Sequence, residues 1–158
     1  MDALVSTAAL LAALALGLAA GAVLAEAGVL VPFWRAQTPE AFLAWYRENA
    51  ARLLKFFGPL EAASGVLVAA ATVAAGLARH PGAPWLAAAT ALTGAVLISF
   101  PLYFQRVNAS FAAGTIPRER VAAELRRWAI WHWGRTVLAI GAFLLALLTL
   151  VLGATVPG

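Results

Sequence analysis

Four ionisable residues stand within stretches that are otherwise apolar: Glu26, Glu61, His132 and Arg135. Hydrocarbon rejects such groups, and burying one unpaired costs several kcal/mol. Their types are complementary. A histidine beside a carboxylate can take a proton from an acidic carbon or hydroxyl, and an arginine can stabilise the oxyanion left behind. His132 and Arg135 are three residues apart, on one face of a helix. The simplest arrangement forks Arg135 onto Glu61 or Glu26 and leaves His132 with the other acid. We therefore take His132 as candidate base, Arg135 as anion stabiliser and Glu61 as their catalytic partner. Two plainer readings stand beside this one: ion pairs that only set helix register, and side chains that snorkel to the interface. A proton relay through Glu26 or Glu61 is the transport-class alternative.

Further groups can contact a ligand near these residues. Glu26, Tyr103, Asn108, Trp128 and Trp131 are the candidates, although Trp128, Trp131 and Trp133 read first as an aromatic belt at headgroup level. One histidine and two carboxylates also have the composition of a facial triad for iron. The E-x-x-H repetition of a di-iron bundle is missing, however, and His80 falls in the opposite loop, so no metal and no cofactor is expected. There is no P-loop, dinucleotide fingerprint or zinc spacing, and the basic loops do not read as nucleic-acid binding.

The elements that position these residues follow from composition. Of 158 residues, 63% are apolar and 11% charged, against roughly 25% charged in an ordinary soluble domain. Eighteen charged groups cannot cover a soluble domain of this size without large apolar patches. The absence of cysteine excludes disulfides, thiolate metal sites and cysteine nucleophiles. The expected class is therefore all-α, an integral membrane four-helix transmembrane bundle in a single domain. A helix needs about 20 residues to cross the hydrocarbon. The spans are expected at about 4–31, 53–78, 82–104 and 128–152, with loops at 32–52 and 105–127. The first segment lacks the basic start of a secretion signal and its apolar run is too long for one.

Charge sets the direction. The first loop and its edge hold Arg35, Arg47, Arg52 and Lys55; the third holds Arg106, Arg118, Arg120, Arg126 and Arg127. The link between the second and third spans holds only Arg79. Both basic loops are then cytoplasmic and both termini outside, in an inner (plasma) membrane. The loops carry helical signals: Thr38 before Pro39 and Thr115 or Ile116 before Pro117 are helix starts. These segments either lie at the interface or extend the spanning helices inward. Glu26, Glu61 and Arg135 fall about 9, 9 and 12 Å from the basic edge. Pro101 should kink the third helix beside them. Gly17 and Gly21 form a G-x-x-x-G pair, which serves packing within the bundle or a homo-oligomer seam.

The stretch LRRWAIWHWGRTVLAIGAFLLALL, with Trp128, Trp131, His132, Arg135 and Thr136, resembles the end of the DUF1772 (anthrone-oxygenase-like) family of small four-helix membrane proteins. Phe100, Pro101 and Asn108 occupy the place where that family carries the Asn/Pro-rich end of its third helix. The specific part runs from Phe100 to Ala139. The resemblance implies a cofactor-independent oxygenase acting on a lipophilic aromatic or quinone-like molecule, with proton abstraction followed by reaction with oxygen. A non-catalytic membrane protein, such as a complex subunit, a structural dimer or a lipophilic-ligand or proton-handling protein, is the alternative.

Overall fold

The computed structural model describes residues 2–155. Helix α1 (Asp2–Ala25) continues through a π-helical turn (Glu26–Leu30) into α2 (Val31–Arg35). After a short turn comes α3 (Pro39–Leu77), then α4 (Ala83–Ser99), which passes through a second π-helical turn (Phe100–Phe104) into α5 (Gln105–Ala113); α6 (Arg118–Thr155) follows. No strand occurs among the described residues. The result is four rods, Ala3–Arg35, Pro39–Leu77, Ala83–Ala113 and Arg118–Val151, each long and apolar enough to cross a membrane. Within the ring, α1 packs on α3 and α6, and α4 packs on the same two helices. The fold is the expected all-α four-helix bundle.

Of the two alternatives for segments 32–52 and 105–127, the structure shows the inward extension of the spanning helices. Residues 32–52 and 105–127 are helical apart from two tight turns, because the spanning helices extend through them. The longest rod has 39 residues, about 58 Å of helix, nearly twice the ~30 Å of hydrocarbon. A stripe of apolar residues continues along the inner face: Phe42, Tyr46, Val107, Phe111, Val121 and Leu125 are buried. Arg47, Arg52, Lys55, Arg106, Arg126 and Arg127 point outward and are exposed. Thr38 caps α3 as the sequence indicates, its hydroxyl accepting from the Ala41 amide at 3.3 Å. Gly114 ends α5 in the left-handed conformation, at φ 66°, where a Cβ would be strained.

The second π-helical turn contains a proline, and the first ends two residues before one. Pro101 has no N–H for the carbonyl of Leu97, which accepts from Phe100 instead, and the Gln105 amide reaches back five residues to Phe100. Pro32 follows the first turn, where the Val31 amide bonds Glu26 in the same five-residue manner. The helix of the first span continues beyond residue 31, to Arg35. Pro32 is accommodated inside the rod.

The interior differs from end to end. Towards the termini it is built of small residues, with Ala9, Ala12, Ala13, Ala71, Ala75 and Ala89 all buried. Gly17 sits under the Phe143 ring and Gly65 under Leu97; a Cβ would stand 2.9 and 2.8 Å from them. These two glycines serve packing within the bundle. Towards the basic end the interior is aromatic: Trp34, Phe42, Tyr46, Phe104, Phe111 and Trp128 form one cluster.

Candidate functional site

The polar residues meet where these two interiors join. Arg135 of α6 donates from Nη2 to Glu61 Oε1 of α3, and its guanidinium lies 5.0 Å from the centre of the Phe104 ring. One turn earlier on α6, His132 Nε2 lies 2.9 Å from the Val23 carbonyl oxygen. Since a carbonyl only accepts, Nε2 carries a proton and donates it to Val23. Nε2 is also 3.6 Å from Glu26 Oε2, at the first π-helical turn. All four side chains are largely buried, with relative exposures of 7% for Glu26, 8% for Glu61, 0% for His132 and 7% for Arg135.

A cavity of about 540 Å³ opens beside this cluster, between α3, the α4–α5 rod and α6. Its polar wall includes Glu26, Glu61, Arg135, Asn108, Tyr46 and Gln105. Apolar wall is supplied by Leu53, Leu54, Phe57, Leu97 and Phe100, and Leu54 is also exposed on the outer surface. Trp128 borders the cavity and donates from Nε1 to Asn108 Oδ1 at 2.9 Å, which fixes the amide's orientation.

The sequence candidates separate in space. Glu26, Glu61, Arg135, Asn108 and Trp128 line the cavity; His132, Tyr103 and Trp131 do not. His132 is sealed behind Trp128, whose ring stacks on it at 4.8 Å, and Phe104 closes another side. Its Nδ1 is buried and has no partner among the described residues, so the expected base does not face the cavity. Tyr103 donates to Glu124 at 2.7 Å and stacks on Trp131 at 5.0 Å, on a different side of α6. Trp131 and Trp133 keep the exposure of belt residues, but Trp128 is a core residue, at 3% exposure.

Glu26 is the distinctive group. Arg135 is committed to Glu61, whereas the approach to His132 at 3.6 Å is the only ion-pair contact recorded for Glu26 among the described residues. Glu26, Glu61 and His132 do not converge as a metal ligand set among the described residues, because the arginine holds one carboxylate and a backbone carbonyl holds the imidazole. Tyr46, on the cavity wall, was not singled out from the sequence; the available signal was its place one turn after Phe42 on the inward face of α3. No family model matches the chain, and no curated protein or solved structure matches it either.

Proposed function

We propose that this membrane protein binds a lipophilic aromatic or quinone-like molecule in the cavity between α3 and the α4–α5 rod, taken up laterally from the lipid. The carrying observation is one carboxylate, Glu26, set without a tight partner on the wall of an otherwise mainly apolar cavity. Apolar walls with a few converging polar groups are the usual construction of a small-molecule site. The ligand's ring system lies against Leu54, Phe57 and Phe100, and its oxygen substituents meet Arg135, Asn108 and Glu26. The excess of bases towards the α2–α3 and α5–α6 turns supports a cytoplasmic position for that end, with both termini outside.

The chemistry implied by the resemblance fits this site with one change of role. Glu26, not His132, takes the proton from an acidic ring carbon, and the Arg135 guanidinium stabilises the enolate oxygen. Dioxygen is the oxidant: a ring methylene becomes a carbonyl, one oxygen atom enters the product and the other leaves as water. The test is oxygen consumption on an anthrone by the full chain in lipid nanodiscs. Glu26→Gln should lower turnover by about 10²-fold or more while anthrone binding persists. Unchanged turnover would remove Glu26 as the base. A specific observation favours a second reading, binding without chemistry: the Arg135–Glu61 pair is closed and His132 is bonded to backbone. On that reading the wild-type chain binds the anthrone and consumes no oxygen.

A further inference from the structure

A second recess of about 140 Å³ lies at the basic end, away from the polar cluster. The turn after α2, the first turn of α3 and one face of α6 enclose it, with Trp34, Arg35, Gln37, Pro39, Leu125 and Arg126 on its wall. Two observations give it an electrostatic sign. Two arginines border it and no carboxylate does. The start of the 39-residue helix α3 adds the positive end of a helix dipole at Pro39. The nearest acid in sequence, Glu40, is engaged at 3.2 Å by Arg118 on the exposed surface.

Its depth is equally specific. On α6, Arg126 precedes the exposed, apolar Ile130 by four residues, about 6 Å of helix. On the first rod, Arg35 follows the half-exposed Phe33 by two residues. Both arginines thus stand just beyond the apolar surface, where lipid phosphates lie.

We propose that this recess binds a phosphate group, that of an anionic lipid headgroup, between Arg35 and Arg126. An ionised phosphate oxygen accepts from both guanidinium groups. The acyl chains then run down the exposed face past Phe33 and Ile130. Such a lipid ties the α2–α3 turn to α6, beside the aromatic cluster that walls the larger cavity.

The test uses the full chain in neutral detergent, titrated separately with short-chain phosphatidylglycerol and with inorganic phosphate. Phosphatidylglycerol should bind saturably, and the Arg35→Gln/Arg126→Gln double variant should bind it at least about tenfold more weakly. Both arginines are exposed, so folding is preserved. An Arg52→Gln/Arg106→Gln control removes the same charge from outside the recess and should bind as the wild type does. If inorganic phosphate binds with the same dependence on Arg35 and Arg126, the phosphate alone is recognised; if only phosphatidylglycerol does, the lipid is. Equal loss in the control, or no loss in the double variant, would overturn the site.

Discussion

The two ends of this bundle solve the same packing problem with different side chains. At the terminal end, alanines and glycines let the helices approach closely, with Gly17 against Phe143 and Gly65 against Leu97. At the basic end, Trp34, Phe42, Phe104 and Trp128 fill the space between rods. Rings are rigid and cannot fill every corner, and the cavity opens on this side. The buried ions lie at the junction, where the small-residue seam gives way. Small side chains thus make the lock, and aromatic ones make the room.

The largest test of that contrast removes the charge at the junction. Arg135→Leu leaves Glu61 buried without its partner and should cost about 3–5 kcal/mol, read by unfolding in detergent. The double variant Glu61→Leu/Arg135→Leu should recover most of that loss. A single-variant loss below about 1 kcal/mol would mean that the pair does not hold the junction.

Placing the same large residue at each end gives the next effect. Ala71 is completely buried in the small-residue seam, so Ala71→Phe should destabilise by about 1–3 kcal/mol or more. Gly58 borders the cavity, and a Cβ there meets nothing closer than Leu54 at 3.8 Å. Gly58→Phe should change stability by only about 0.5 kcal/mol. Similar losses at both positions would erase the distinction between the ends.

Two smaller effects follow, both read as shifts in thermal unfolding. Trp128→Phe removes the donor to Asn108, at 2.9 Å, and should cost about 1 kcal/mol. Thr72→Val breaks the 2.7 Å hydroxyl contact with Thr90 in the terminal half and should cost about 0.6 kcal/mol, the usual size for such bonds between membrane helices. Reversal of that order would place more of the polar stabilisation in the small-residue half.

Four spans and the shared depth of Glu26, Glu61, His132 and Arg135 were legible because ions in apolar runs are rare and helix rise converts spacing into depth. The facing of each side chain was not. Residues 3–25 are apolar on all sides, so no periodicity says that Val23 turns its carbonyl towards an imidazole 109 positions later. That contact and the stacked Trp128 ring hold His132 off the cavity, whereas Glu26 lines it. Nothing in the sequence announces the π-helical turn at Glu26–Leu30, which lets the helix run on through Pro32 at the start of α2. Trp128 read as a belt residue by composition. Only the positions of Asn108 and His132 reveal it as the partition between cavity and imidazole.

Occupancy of the cavity is measured most directly by equilibrium binding of an anthrone to the full chain in nanodiscs, wild type against Gly58→Phe. Saturable binding by the wild type, weakened at least about tenfold in a Gly58→Phe variant of unchanged stability, is the predicted result, corresponding to about 1.4 kcal/mol. Equal binding by the two proteins would contradict it, placing the molecule elsewhere than between α3 and the α4–α5 rod.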